Sequence, residues 1–130
     1  MGDKVNRIYL YILGLVTSLL PKNEEIIHSG LFLVLSKEEN LKIPDWYYNG
    51  YSVISETVSS CLQALCKNRT VTFTNDGLYS IVENQSKIPM NDLEQVHQYI
   101  EKMLPNYGSG LQIVKEAKRR FQLKNVGATS

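Results

Sequence analysis

Cysteine is scarce in this 130-residue chain, which contains only Cys61 and Cys66. Both fall in one predicted helix, where a separation of five residues turns them about 140° apart around the axis. A disulfide between them would require that helix to break. No further group of cysteines or histidines in the sequence completes a zinc-binding pattern. We therefore expect reduced thiols packed in a core, no metal, and a cytoplasmic protein.

The chain also lacks a strong net charge and a catalytic motif. Its formal net charge is +1, so no overall field draws it onto nucleic acid or membrane, and electrostatic binding has to come from a local patch. His28 and His97 lie on different predicted helices, and neither has a partner at metal-ligand spacing. The sequence contains no nucleophile elbow and no phosphate-binding loop. It therefore predicts a protein that is not an enzyme and requires no cofactor.

Long apolar runs are missing as well. The apolar run at residues 8–20 has 13 residues, short of the roughly 20 that a membrane-spanning helix needs. Pro21 and charged residues follow it, where a signal peptide would have a cleavage site with small residues. A targeting or membrane segment is the alternative, but the pattern favours a buried helix, and we expect no membrane partner.

Two helices are predicted in the first third of the chain. The first spans residues 4–20 and is apolar almost all the way round, so it should be central or covered on two sides. From that surplus of apolar surface we predict a homodimer formed through the first and the C-terminal helices. The second helix should begin at Asn23 or the residue beside it, with Glu24 and Glu25 in its first turn. Gly30 inside it would permit close contact with a neighbouring helix.

An aromatic segment precedes the third predicted helix. Residues 46–48 are predicted to form a short helical turn, and Asn49-Gly50 is a turn signal. Ser52 is a candidate N-cap for a helix that ends near Cys66. The apolar residues of that helix recur on one side: Ile54, Val58, Cys61, Leu62 and Leu65.

The aromatic cluster formed by Trp46, Tyr47, Tyr48 and Tyr51 has two interpretations. The favoured one is that these rings pack the junction between the second and third helices, since aromatic rings dominate small cores. The alternative is that they line a ligand pocket or stack on bases.

A β-hairpin is the strongest local prediction. Residues 70–74 alternate and are rich in β-branched side chains, Asn75-Asp76-Gly77 is a hairpin turn signal, and residues 78–82 return as the second strand. A helix capped by Asn91 and a final helix over residues 111–123 complete the chain.

The order of helix and hairpin, opened by Tyr48-Asn49-Gly50-Tyr51-Ser52, resembles the winged helix-turn-helix proteins of prokaryotes and their viruses. It is similar in particular to small families whose recognition helix opens with a Tyr-Gly-Pro-Tyr-Ser pattern, although this chain lacks the proline. The resemblance implies a mainly α fold with a β-hairpin, a winged helix-turn-helix plus two C-terminal helices. The length of 130 residues predicts a single domain, 1–130, in which the resemblance implies a winged-helix core at 5–82 and a C-terminal helical extension at 91–123.

Such proteins include transcriptional regulators, and some act as antitoxins or adaptors. The resemblance implies that the third helix and the tip of the wing contact DNA. The candidate residues are Ser52, Ser55, Glu56, Ser59, Ser60, Gln63, Lys67, Arg69, Asn75 and Asp76. The basic and acidic residues between positions 53 and 82 sum to zero, which makes this segment a poor phosphate binder. The alternative is that it is only the solvated face of a structural helix.

Positive charge is concentrated in the final helix. Its basic residues are Lys115, Lys118, Arg119, Arg120 and Lys124, set against Glu116 alone. The helix therefore carries +4, and the rest of the chain sums to −3. It can supply phosphate contacts, or it can be an ordinary solvated helix face with cations near a C-terminus.

The sequence thus predicts a small DNA-binding regulator that acts as a homodimer on duplex DNA, with phosphate contacts from the final helix. The alternative is a protein-interaction module, an antitoxin or adaptor with a protein partner, which the neutral third helix and the apolar first helix favour.

Overall fold

The computed structural model describes residues 2–17, 23–35, 43, 45–75, 77–81, 90–107 and 109–129. Within them it contains five α-helices, two antiparallel hairpins and one 3₁₀ turn. In chain order these are α1 (Gly2–Val16), α2 (Glu24–Leu35), β1 (Trp46–Tyr48), β2 (Val53–Ser55), α3 (Glu56–Lys67), β3 (Val71–Phe73), β4 (Tyr79–Ile81), α4 (Met90–Met103), the 3₁₀ turn (Leu104–Tyr107) and α5 (Gly110–Thr129). The prediction of a mainly α chain with a β-hairpin is confirmed at this level.

The second helix forms the centre of the molecule. As predicted, Asn23 caps it, because its side-chain oxygen accepts a 2.8 Å hydrogen bond from the Ile26 amide. All ten residues from 26 to 35 are buried, so α2 is covered on every side. A Cβ on Gly30 would lie 3.1 Å from Leu15 Cδ2 of α1, which confirms the predicted close contact between helices.

The first helix is covered by its own chain. It packs against α2, α3 and α4, and its residues from Ile8 to Val16 are buried, apart from the partly buried Tyr9. Gly14 sits directly against α4, where an added Cβ would meet Ile100 Cδ1 at 2.8 Å. The apolar surface of α1 between Ile8 and Val16, which is part of the motivation for the homodimer prediction, is therefore buried within a single chain.

The aromatic segment forms a strand, so the predicted helical turn over residues 46–48 is wrong. Strands β1 and β2 pair in antiparallel register, Trp46 with Ser55 and Tyr48 with Val53. Gly50 has φ +101°, a left-handed conformation that favours glycine. Aromatic and β-branched residues on both sides of Asn49-Gly50 favour strands, and the turn at Gly50 allows these strands to pair.

Helix α3 therefore starts three residues later than predicted. Its N-cap is Ser55 and not Ser52, because the Ser55 hydroxyl oxygen accepts a hydrogen bond from the Val58 amide at 3.2 Å. At the other end, the Arg69 amide donates to the Cys66 carbonyl at 3.2 Å, and Arg69 has φ +66°. This is the geometry of a Schellman cap, with arginine where glycine is usual.

The second hairpin matches its prediction closely. Val71 pairs with Ile81 and Phe73 with Tyr79, and the Thr74 amide donates to the Leu78 carbonyl across the turn at 2.8 Å. Strand β3 packs against α3. A hairpin alone is marginal in water, and this contact with a helix supports it.

The two C-terminal helices join the same core. Helix α4 packs on α1, and α5 packs on α2 and β2. Helix α4 begins one residue before the predicted cap Asn91. Helix α5 extends to Thr129, six residues beyond the predicted end, and it begins with a capping box in which Ser109 and Gln112 exchange hydrogen bonds between side chain and amide.

The described helices include none with the length and apolar character needed to cross a membrane.

Candidate nucleic-acid interface

A partly buried polar network fixes the first hairpin and the start of α3. The Asp45 carboxylate accepts hydrogen bonds from the Ser55 hydroxyl at 2.5 Å, and from the Thr57 amide and hydroxyl at 2.9 Å each. Burial raises the pKa of Asp45, but the hydrogen bonds from Ser55 and Thr57 lower it, and the net pKa lies below its usual value. The carboxylate thus acts as a second cap on α3, beside the Ser55 hydroxyl.

His28 links this network to the central helix, α2. Its Nδ1 accepts a 3.1 Å hydrogen bond from the Ser55 amide, and its side chain is fully buried. Burial, opposed by the Asp45 carboxylate, lowers the pKa of His28 from 6.5 to about 4. The ring is therefore neutral at neutral pH and carries its proton on Nε2. Ser59 Oγ lies 3.4 Å from that Nε2. Because Nε2 carries the proton, it is a donor toward Ser59 and cannot act as a general base for the Ser59 hydroxyl.

The predicted DNA-contacting residues of α3 divide into buried and exposed sets. Ser52 and Ser55 are both 0% exposed, so a nucleic acid cannot reach them in this conformation, and they leave the candidate set. Ser59 is half-buried beside His28. The exposed candidates are Glu56, Ser60, Gln63, Lys67 and Arg69. The accessible face of α3 remains small, polar and nearly neutral.

At the second hairpin, Asn75 is exposed and Asp76 lies outside the described residues. Phe73 is 56% exposed and contacts the Tyr79 ring, with 4.8 Å between centroids. An exposed aromatic ring on this hairpin was not among the sequence candidates, because alternation along residues 70–74 places Phe73 on the same face as the buried Val71.

Helix α5 carries a stripe of cations on its outer side. At 100° per residue, Lys118, Lys115 and Arg119 lie within about 100° of one another around the axis, opposite the buried Ile113 and Ala117. Lys115 and Arg119 are exposed and Lys118 is half-buried. We call Lys115, Lys118 and Arg119 the α5 stripe.

Glu116 partly neutralises both the α5 stripe and the neighbouring Arg120. Its carboxylate accepts two hydrogen bonds from Arg119, at 2.9 and 2.7 Å, and one from Arg120 Nε at 2.7 Å. The hydrogen bonds from Arg119 and Arg120 lower the pKa of Glu116 to about 2. The side chain of Lys124 lies outside the described residues. Glu116 thus pairs with Arg119 of the α5 stripe as well as with Arg120 at its flank, and these five residues, Lys115, Lys118, Arg119, Arg120 and Glu116, together carry a net charge of +3.

The structure brings this stripe to the first hairpin. The Lys118 ammonium lies over the Tyr48 ring, 5.3 Å from its centroid, within the usual range of a cation–π contact. The neighbouring Tyr47 faces the other side of β1, and its hydroxyl donates to Glu56 Oε1 at 3.0 Å. The hairpin therefore lies between the α5 stripe and the N-terminal end of α3. No local sequence pattern predicts this contact.

The aromatic cluster is divided between core and surface. Trp46 packs edge-to-face on Phe32 of α2, with centroids 5.2 Å apart, as the packing interpretation predicts. Tyr51 is 78% exposed and Tyr47 40% exposed, so these two rings remain available to a ligand.

Metal-binding clusters of three or more histidine, cysteine, aspartate or glutamate residues are absent from the described part of the chain. Cys61 and Cys66 are free thiols. Burial raises the pKa of both thiols, as expected for structural cysteines.

Comparison of the chain with family models, with curated proteins and with solved structures gave no match.

Proposed function

We propose that this chain is a small cytoplasmic DNA-binding protein of the winged-helix type that acts as a transcriptional regulator. The contact between Lys118 and Tyr48 is the observation that carries the proposal. It joins the cations of α5 to the hairpin that leads into α3, so phosphate-binding and base-reading elements adjoin one another. Ser60 and Gln63 on α3 can hydrogen-bond base edges, and the α5 stripe supplies the charge that α3 lacks.

The order α3, β3, β4 supports a winged helix, since an exposed hairpin follows the candidate recognition helix directly. The connection between α2 and α3 differs from a helix-turn-helix, in which three or four residues join the two helices. Here residues 36–55 intervene and include the hairpin of β1 and β2. The first hairpin therefore takes the place of the tight turn.

The charge available predicts a moderate affinity. Each phosphate neutralised by lysine or arginine contributes about 0.9 to the slope of log K against log salt. Three contacts from the α5 stripe correspond to a loss of about 40-fold in affinity between 50 and 200 mM salt.

The proposal is tested by fluorescence anisotropy with labelled duplex DNA at 50 mM salt. The variant Lys115→Ala/Arg119→Ala removes two charges of the α5 stripe. The matched control Arg7→Ala/Lys102→Ala removes two exposed charges from α1 and α4. We expect the stripe variant to bind about 100-fold more weakly, roughly tenfold for each lost contact, and the control to bind within threefold of wild type. Failure of the wild type to bind, or equal losses in the two variants, would contradict the proposal.

Homodimerisation remains a prediction. The burial of residues 8–16 of α1 within one chain removes the first reason for predicting a homodimer. A second reason is that Leu111 and Leu123 on α5 are 65% and 57% exposed. Light scattering at high concentration tests it, and a monomer mass would count against a dimer.

A protein-interaction module, such as an antitoxin or adaptor, is the second candidate. It is supported by the neutral face of α3 and the exposed ring of Phe73. Nuclease-treated extract of the source cells tests it. A stoichiometric partner that is captured by wild type and lost with Phe73→Ser supports this function, whereas a partner lost only after nuclease treatment supports DNA binding.

A further inference from the structure

Tyr51 is the most exposed large hydrophobic side chain in the described part of the molecule, at 78%. It lies at the tip of the first hairpin, between the turn residue Gly50 and the fully buried Ser52. Nothing in its own hairpin covers the ring. The buried Ser52 anchors this part of the hairpin, and the ring of Tyr51 beside it is exposed to solvent, where a ligand can contact it.

The backbone that carries this ring is held by several hydrogen bonds. The Asn49 side-chain oxygen accepts from the amides of Tyr51 and Ser52, at 2.9 Å each. The Asn49 amide donates to the Ser52 carbonyl at 3.2 Å, and the Tyr48 hydroxyl donates to the Gly50 carbonyl at 2.9 Å. Ligand binding would therefore not have to pay for ordering this loop.

The same tip is adjacent to positive charge. The Tyr48 side chain contacts Gly50 through its hydroxyl and Lys118 through its ring, where the ammonium lies 5.3 Å from the centroid. Tyr48 thus contacts both the tip of the hairpin and the α5 stripe. The other two cations of the stripe, Lys115 and Arg119, lie further along the same face of α5. An aromatic ring next to a row of cations is the arrangement by which proteins bind single-stranded nucleic acid, stacking on the base and contacting the phosphates.

We infer that Tyr51 stacks on an unpaired base of a nucleic acid whose phosphates contact the α5 stripe. The ligand class is DNA or RNA with an accessible base face, as in a single strand, a bulge or a gap. In a perfect duplex each base is covered by its neighbours, so the ring has no face to stack on. The inference rests on the proposed nucleic-acid binding and specifies its substrate.

The experiment compares three labelled ligands at 50 mM salt: a 20-base-pair DNA duplex, the same duplex with one bulged central base, and the single strand. The bulged base and its counterpart in the single strand are 2-aminopurine, whose fluorescence falls when it stacks. Wild type is compared with Tyr51→Ala and with Tyr51→Phe, which keeps the stacking face. Phe73→Ala is the matched control, because it removes another exposed ring from the other hairpin.

We expect wild type to bind the bulged and single-stranded ligands about tenfold more tightly than the duplex. Tyr51→Ala should lose about tenfold on those two ligands and less than twofold on the duplex, and it should not quench 2-aminopurine. Tyr51→Phe should behave as wild type, and Phe73→Ala should keep the wild-type preference for the unpaired ligands over the duplex and the quenching of 2-aminopurine. Circular dichroism and urea midpoints equal to wild type would show that Tyr51→Ala is folded, as the exposure of the ring predicts.

If wild type binds DNA with the expected salt dependence but Tyr51→Ala binds every ligand equally well, the stacking inference is overturned and the proposed function stands. If wild type binds none of the three ligands, the proposed function fails and the inference fails with it.

Discussion

His28 makes the stability of this protein depend on pH in a predictable window. Burial, which outweighs the attraction of Asp45, lowers its pKa from 6.5 to about 4 on folding. The unfolded chain therefore binds a proton at this site more readily than the folded chain does. Stability should be fully present above pH 6.5, fall as the pH is lowered from 6.5 toward 4, and show no further loss from this group below that.

The size of the effect follows from the difference between the two pKa values. Between pH 7.5 and pH 4.5 the free energy of unfolding should fall by about 2.5 kcal/mol, which is a large share of the stability of a small domain. Protonation of His28 also removes the Nδ1 lone pair that accepts the hydrogen bond from the Ser55 amide. The first hairpin and the start of α3 should therefore be the first parts of the chain to lose their structure. The lowered pKa of Asp45 acts below its usual value of 3.8, outside this window.

The assay is urea unfolding at half-unit steps of pH, followed by the fluorescence of Trp46, which packs on Phe32. The variant His28→Asn keeps an acceptor near the position of Nδ1 but has no titrating group. Wild type should lose roughly 1 to 2 M from its urea midpoint between pH 7.5 and 4.5, and the variant should lose much less. His97 is present in both proteins, so its contribution cancels. Parallel pH profiles for the two proteins would show that His28 does not cause the loss of stability.

Three further predictions concern single contacts, each measured by urea unfolding at pH 7. Gly14→Ala should destabilise by about 1 to 2 kcal/mol, because the new Cβ meets Ile100 Cδ1 at 2.8 Å and the stiff side chain of Val96 at 3.0 Å; equal or higher stability would show that the α1–α4 contact can relax. Arg69→Gly should stabilise by about 1 kcal/mol by relieving a left-handed conformation, and a loss would mean that the arginine side chain contributes more than the strain. Asp45→Asn should destabilise by about 2 kcal/mol because an amide cannot accept all three hydrogen bonds from Ser55 and Thr57; an unchanged midpoint would place the cap elsewhere.

The elements that the sequence predicts well are those whose signal is local. The second hairpin combines strict alternation with a turn at Asn75-Asp76-Gly77, and both strands form where expected. Helix α2 begins at the predicted cap, Asn23. In each case the residues that define the element lie within a few positions of one another, so short-range propensity and packing agree.

The failures occur where distant residues decide the structure. Ser52 has the side chain of an N-cap, but pairing of Tyr48 with Val53 extends the strand past it, and the cap moves to Ser55. The Ser55 amide then bonds to His28, 27 residues earlier. The candidate interface depends in the same way on Tyr48 and Lys118, which are 70 positions apart. Periodicity within one segment carries no information about such contacts.

The dependence of DNA affinity on salt is the most direct test of the proposed nucleic-acid surface, which the α5 stripe and the first hairpin would form together. Association constants for a bulged DNA ligand would be measured from 50 to 200 mM salt, with wild type and with Lys115→Ala/Lys118→Ala/Arg119→Ala. We expect a slope of about −3 in log K against log salt for wild type and a slope near zero for the variant. A slope near zero for wild type, or the same slope for both proteins, would contradict it.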